Sequence, residues 1–167
     1  MPSVPRHKVI GSAIMVVLLL GCAATIPPPL ADQVAWHLSF RDIRRHPEVF
    51  TGRMVALGGV ATQIDAVADG TRLTVLEFPL DGSSRHRPAA NQPPEGTFQV
   101  QVANGERPKG LRPGVEITVV GEILGKSTWT HDGKTEEVPL LAERYIRVWG
   151  PSWWPRLQIG IWGSIAL

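Results

Sequence analysis

The sequence predicts a mainly β domain, namely a small OB-like antiparallel barrel of five strands with a short N-terminal helix. Five segments rich in β-branched and alternating apolar residues follow one another between residues 53 and 149, separated by turns rich in Gly, Pro and Asp. Two of these segments contain internal glycines, which permit the strong coiling that closure of a small sheet requires. A sandwich of short β-strands is the main alternative.

A short helix is predicted before the strands. Ser39 has the side chain of an N-cap and Asp42 follows three residues later, while Phe40 and Ile43 share one face. Pro47 limits this helix, and the three residues after it are expected to add one more turn.

The strands are expected in two hairpins and one separate segment. Gly58 and Gly59 interrupt the first strand and indicate a bend where backbones approach closely. The Asp-Gly dipeptide in "THDGK" predicts the turn of the second hairpin. Residues 81–96 contain no apolar period and are predicted to form a long exposed loop. The predicted strands cover residues 54–67, 71–80, 97–103, 115–125 and 138–149.

The first 21 residues are typical of a secretory signal peptide. Arg6, His7 and Lys8 form a basic start, and an uncharged run of 13 residues follows from Val9 to Gly21. That run reaches roughly 20 Å as a helix, short of the hydrocarbon core of about 30 Å. An uncleaved membrane anchor, extended to residue 26, is the alternative.

The single cysteine lies at the end of this segment. The residues Leu19-Leu20-Gly21-Cys22 resemble a bacterial lipobox, which predicts a diacylglycerol and an N-acyl lipid on Cys22. Ala23 replaces the aspartate that retains lipoproteins at the inner membrane, so the outer membrane is expected. Residues 22–31 are then the acylated cysteine and a Pro-rich tether, in which "TIPPP" is predicted to be stiff and extended.

Cleavage after residue 21 also changes the charge argument. It removes Arg6 and Lys8, which account for the whole formal charge of +2, so the mature domain is neutral. A nucleic-acid partner, which a pI near 9.0 would otherwise suggest, is therefore not expected.

The stretch "HPEVFTGRMVALGGVATQIDAVADGTRLTVLEFPLD" resembles the conserved half of the Slp family, starvation-associated outer membrane lipoproteins of Gram-negative bacteria. The later segments "ITVVGEILG" and "IRVW" also match. The resemblance implies an outer-membrane location and brings no established catalytic residues. It is carried by Pro47, Phe50, Gly52, Gly58, Gly59, Pro79, Leu80, Asp81 and Trp149.

Motifs that would indicate enzyme chemistry or a metal site are weak. Ser83 and Ser84 lack a nucleophile-elbow pattern, and Glu136 and Glu137 are adjacent strand residues that point to opposite faces. Neither metal nor cofactor is expected. The mature chain has four histidines, His37, His46, His86 and His131, without metal-ligand spacing.

A basic rim on the loops is a candidate contact for lipopolysaccharide or phospholipid head groups. The rim comprises Arg85, His86, Arg87, Arg107, Lys109 and Arg112.

The last 20 residues concentrate four tryptophans. Tryptophan suits a bilayer interface because its ring is apolar and its N–H needs a polar partner. The tail at residues 151–167 is therefore predicted to lie on the membrane or to pack against the barrel at residues 32–150, with disorder as a third alternative. The predicted membrane contacts are Trp149, Trp153, Trp154 and Trp162.

These observations predict a lipid-anchored protein on the periplasmic side of the outer membrane, acting as a non-enzymatic structural or stress-associated component. An envelope protein or a glycan is its expected partner. The alternative is a module that binds an anionic or glycan ligand on the barrel face. An exposed aromatic cluster near Trp129 would favour this alternative. A cell-wall enzyme comes third, and it would need a pocket that joins a histidine to Glu136 or Asp81.

Overall fold

A computed structural model describes residues 25–83, 85–103 and 108–149. Five strands form a sheet that closes on itself in the order β1-β2-β3-β5-β4, with β4 returning to β1. This confirms the predicted OB-like fold over the sandwich. One pair differs from the all-antiparallel expectation, because β3 and β5 run parallel. The strands are β1 (Met54–Val67), β2 (Gly70–Glu77), β3 (Gly96–Val102), β4 (Glu116–His131) and β5 (Lys134–Val148).

The glycine pair in β1 marks a close backbone approach, as predicted. A Cβ on Gly58 would lie 2.7 Å from a methyl carbon of Leu80 and 2.8 Å from the carbonyl oxygen of Phe78. A Cβ on Gly59 would overlap the carbonyl oxygen of Leu76. Gly59 pairs with β2 on one side and with β4 on the other, so β1 joins both halves of the sheet at this point.

Helix α2 (Phe40–Arg45) closes one side of the core. The Ser39 hydroxyl accepts a hydrogen bond from the backbone N–H of Asp42, at 3.2 Å, which confirms the predicted N-cap. Phe40 and Ile43 are buried, and the Phe40 ring lies 6.0 Å from that of Phe98 on β3. A 3-10 helix, Pro47–Phe50, adds the expected further turn.

Strands β4 and β5 extend beyond the predicted segments as a long two-stranded arm. Their pairing continues to His131 and Lys134, across a turn in which Asp132 and Gly133 have φ of 48° and 73°. The side chains near this turn are mostly polar and exposed. The arm is held by backbone pairing between its two strands. Its sequence therefore shows no apolar periodicity from which the arm could be predicted.

The Pro-rich segment is not the extended tether that the sequence predicted. Residues Pro28–Ala31 form a single helical turn, α1, with proline in the first turn, where its missing N–H is tolerated. Ile26 is 2% exposed and packs with Val34 and Val120, while Leu30 packs against the same cluster. Burial of these apolar side chains favours the docked conformation. Within the described ranges, no helix has both the length and the apolar character needed to cross a bilayer.

Candidate functional site

The first described residues are fixed to the outside of the barrel. The Tyr145 hydroxyl on β5 donates a hydrogen bond to the carbonyl oxygen of Thr25, at 2.8 Å. Ile26 fills an apolar site beside the same strand. Thr25 is only three positions after Cys22, so the docked segment begins almost immediately after the predicted lipid attachment point.

A groove of about 420 Å³ lies between the segment before α2, β1 and the end of β2. One part of its lining is apolar, and another part carries ionisable side chains. The apolar lining includes Trp36, Leu38, Phe40, Leu57, Pro79 and Leu80. The ionisable lining consists of Glu77, Asp81, His86 and Glu95.

Glu77 is the buried carboxyl group of this groove. It is the last residue of β2, and its cross-strand partners on both sides, Gly59 and Gly96, have no side chains. The residue is 3% exposed, and its Oε2 atom has no hydrogen-bond partner within the described ranges. Burial, reinforced by the charge of Glu95, raises the pKa of Glu77 to about 7. At neutral pH this carboxyl group is therefore close to the midpoint of its titration.

An aromatic stack borders the groove. The rings of Trp36 and His86 lie 4.7 Å apart with an interplanar angle of 27°. The indole N–H of Trp36 donates to the carbonyl oxygen of Ala31, at 3.2 Å, and the Trp36 residue remains 48% exposed. The Thr118 hydroxyl donates to the backbone carbonyl of His86, at 2.6 Å. The stack therefore connects the N-terminal segment to the loop after β2.

That loop is packed more closely than the predicted long exposed loop. Leu80 and Pro88 form an isolated β-bridge. The Asp81 carboxylate accepts hydrogen bonds from the Ser83 hydroxyl, at 2.8 Å, and from the backbone N–H of Arg87, at 3.0 Å. The loop is ordered by these local hydrogen bonds and not by alternating apolar residues, so the sequence shows no apolar periodicity that would predict its order.

A comparison with known protein families covers most of the chain. The profile of the outer membrane lipoprotein Slp family matches residues 19–158. The chain belongs to the Slp family. This confirms the resemblance inferred from the glycine pair and the Pro-Leu-Asp motif, and it makes the protein an outer membrane lipoprotein.

Solved structures similar to this Slp family chain are single-stranded DNA-binding proteins. One is the mitochondrial protein Rim1 of S. cerevisiae, 11% identical, with a TM-score of 0.35. Another is a small protein of Streptomyces coelicolor, 16% identical, with the same TM-score. Each alignment covers 57% of this chain and 92% of the other. No curated protein matches the chain.

Trp149 is the one predicted membrane contact that lies within the described part of this Slp family domain. Its indole N–H donates to the Thr118 hydroxyl, at 3.0 Å, and its backbone N–H donates to Glu116. The guanidinium groups of Arg87 and Arg147 lie 5.5 Å and 5.6 Å from its ring. Trp153, Trp154 and Trp162 lie outside the described residues, as do Cys22, Ser84 and Arg107.

The predicted basic rim is partly neutralised. Arg87 forms an ion pair with Glu116, with 2.7 Å between Nε and Oε2. Arg85, Lys109 and Arg112 are exposed. Arg87, on the loop after β2, is thus already paired with an acid of β4.

The barrel face near Trp129 carries a polar network. The Arg72 guanidinium on β2 donates to the side-chain oxygens of Gln99, Gln101 and Ser127, at distances between 2.6 and 3.2 Å. All of these oxygens are neutral. The Trp129 ring stacks on His131 with centroids 5.2 Å apart. This face therefore combines an aromatic pair with an arginine held by amides and a hydroxyl.

Two of the residues considered for acid–base chemistry line one groove, and two others lie on the arm. His86 and Asp81 line the same groove, but the Asp81 carboxylate bonds to its own loop while the imidazole stacks on Trp36. Glu136 and Glu137 are exposed on the arm, and Glu137 pairs with Lys126 at 2.8 Å. Within the described ranges, no cluster of three or more His, Cys, Asp and Glu side chains suits a metal ion.

Glu77 was not among the sequence-predicted site residues. It stands in the apolar run "TVLEFPL", where one carboxyl group is easily assigned to an exposed strand position. The available signal was that this acid lies between Leu76 and Phe78 in a strand without other charges near its end.

Proposed function

We propose that this Slp family protein is anchored by lipids on Cys22 and faces the periplasm as a non-enzymatic, stress-associated component of the outer membrane. The docking of Thr25 and Ile26 on the barrel carries the proposal. Consecutive Cα atoms are about 3.8 Å apart, so Cys22 and Thr25 are separated by at most about 11 Å. The lipid anchor would therefore hold the barrel directly against the bilayer.

The orientation of the barrel follows from the same contact. The face around Ile26 and Tyr145 lies next to the bilayer in this arrangement, and the tip of the β4–β5 arm is left for other contacts. Stable attachment is expected because a diacylglycerol plus an N-acyl chain exceeds the two lipid chains that durable anchoring requires. The non-enzymatic part is supported by the separate engagement of His86 and Asp81. The stress role is proposed from the family resemblance.

Fractionation by density followed by mass spectrometry tests the anchor. The wild type should appear in the outer-membrane fraction with an N-terminal peptide beginning at acylated Cys22. Cys22→Ala should lose both acylation and outer-membrane location, whereas Ala23→Asp should keep the lipids and move to the inner membrane. An intact Met1 end on the wild-type protein would contradict the proposal.

Cysteine labelling tests the side of the membrane. Val49 is 74% exposed, so Val49→Cys introduces an accessible thiol, while Cys22 is expected to be blocked by lipid. A membrane-impermeant maleimide should label the variant only after the outer membrane of intact cells is permeabilised. Labelling of untreated cells would place the domain on the outer surface and overturn the periplasmic orientation.

A second candidate function is a module that binds an anionic or glycan ligand on the barrel face. It is favoured by Arg72, whose described hydrogen-bond partners are neutral, so that its charge is available to an anion. Purified lipopolysaccharide is the probe. Arg72→Gln should weaken its binding, whereas Arg112→Gln, at an exposed loop position, should not. Equal binding by both variants would reject this candidate.

A further inference from the structure

The groove beside Trp36 contains a buried acceptor that nothing within the described ranges satisfies. Glu77 is 3% exposed, and its Oε2 atom has no hydrogen-bond partner there. Buried polar atoms nearly always have a partner, because an unsatisfied one loses hydration without compensation. Since the residues opposite it are Gly59 and Gly96, neighbouring strands supply no side chain to it. A ligand donor reaching the groove would satisfy it.

The charge of the groove selects a cation. Its lining contains three carboxyl groups, those of Glu77, Asp81 and Glu95, and one imidazole, that of His86. Asp81 is bonded within its loop, and Glu95 pairs with Arg41 at 3.1 Å. None of the ion pairs found among the described residues includes Glu77. Its raised pKa, about 7, reflects this burial and the repulsion by Glu95.

The size and lining of the groove select a small organic ligand. Apolar side chains, including Leu38 and Leu80, line it beside the half-exposed ring of Trp36. An aromatic ring stabilises a neighbouring ammonium group and also packs against aliphatic carbon. A hard divalent metal ion would need six or more oxygen ligands, whereas Glu77 offers one unpaired carboxyl oxygen, which is buried.

We propose that this groove binds a primary ammonium group, with the Glu77 carboxylate as its counter-ion and with Trp36 and Leu80 against its hydrocarbon chain. Two sources of this chemistry fit, namely a free small amine and the ethanolamine head group of a phospholipid.

The position of the groove makes the head group a real alternative. The Trp36 indole donates to Ala31 in the segment that follows Cys22. Ala56 lines the groove and also packs against the cluster that buries Ile26. The groove therefore adjoins the part of the barrel nearest the proposed lipid attachment. The lipid source rests on the proposed function, whereas recognition of the ammonium group does not.

Calorimetric titration of the full-length protein in a non-ionic maltoside detergent tests the site. Butylammonium is the probe, and butanol is its uncharged counterpart. Wild type should bind butylammonium saturably and butanol far more weakly. Glu77→Gln should weaken butylammonium binding about tenfold or more, because a charge-assisted hydrogen bond is lost. Glu136→Gln, an exposed acid on the arm, is the matched control and should bind as wild type.

The folding of Glu77→Gln is checked by circular dichroism and thermal melting, so that lost binding is not mistaken for unfolding. No butylammonium binding by wild type, equal binding of butanol, or unchanged binding by folded Glu77→Gln would each overturn the proposal. Trp36→Ala should also weaken binding, since the apolar wall of the groove is reduced.

A second titration separates the two sources. Glycerophosphoethanolamine carries the primary ammonium of the lipid head group, and glycerophosphocholine carries a quaternary one that cannot donate a hydrogen bond. Binding of butylammonium and of the ethanolamine compound, but not of the choline compound, identifies a head-group site. Binding of butylammonium alone identifies a free amine. If fractionation placed the protein away from the outer membrane, the phospholipid head group would be excluded as the natural ligand. The butylammonium result would still show that the groove recognises an ammonium group.

Discussion

Glu77 at the end of β2 is paired with Gly59 in β1, so a buried carboxyl group faces a residue without a side chain. The same strand position faces Gly96 in β3. Its two cross-strand partners therefore contribute no side chain that could neutralise the acid. The stability of the barrel should therefore depend on the protonation of this single group.

The first prediction concerns pH. Glu77 has an ordinary pKa of 4.5 when unfolded and about 7 when folded, so the folded state binds the extra proton between these values. The contribution of Glu77 to stability should fall as pH rises through this window, by about 3 kcal/mol in total, and stay level outside it. Glu77→Gln should remove that loss and be more stable than wild type at about pH 8.

Urea unfolding of the full-length protein in detergent, from about pH 5 to about pH 8, measures this difference. Asp81, His86 and Glu95 line the same groove and are present in both proteins, so the difference between the two curves isolates Glu77. A wild-type-minus-variant difference that does not change with pH would contradict the assignment.

The second prediction concerns the close approach of backbones at the glycine pair in β1. Gly59→Ala would bring a Cβ onto the carbonyl oxygen of Leu76 and close to Val75, so backbone has to move. We expect a loss of about 2 kcal/mol or more in unfolding free energy. Gly82→Ala, which meets nothing within 4 Å and has no left-handed φ, should change stability little. Equal stability of the two variants in thermal melts would show that β1 adapts.

The third prediction concerns the docked N-terminal segment. Ile26→Ala leaves a cavity beside Val34 and Val120, and the expected cost is about 2–4 kcal/mol where the site cannot collapse. Limited proteolysis should then cut near α1 before the barrel unfolds. Val49→Ala, at a 74% exposed position, is the control. Protection of α1 equal to that of wild type would mean that burial of Ile26 does not hold the segment.

The fourth prediction concerns Trp149. Trp149→Phe removes the donor to the Thr118 hydroxyl and should lower the unfolding free energy by about 1–2 kcal/mol. Thr118 also donates to His86, so Thr118→Val alone would remove two hydrogen bonds. A double-mutant cycle that combines it with Trp149→Phe isolates the bond between Trp149 and Thr118. A coupling energy near zero would show that the hydrogen bond adds no net stability, and any loss would then come from packing against Arg87 and Arg147.

Local signals in the sequence determined several features of this protein. The Ser39 cap, the close approach at Gly58-Gly59 and the Asp-Gly turn each have a local signal, so the sequence could predict α2, β1 and the arm turn directly. The family resemblance was also legible, because it rests on short motifs. The prediction of strand ends failed in β4 and β5, because the exposed polar residues there pair through their backbones and show no apolar periodicity.

Tertiary structure alone decided the features that depend on distant residues. The docking of Ile26 needs β4 and β5, more than 90 residues away, and prolines alone indicated an extended tether. The burial of Glu77 depends on two glycines from different strands meeting it in register. The Trp36–His86 stack joins residues 50 positions apart. A local sequence pattern records which side chains a segment carries, whereas burial, charge isolation and ring contacts arise only when the sheet closes.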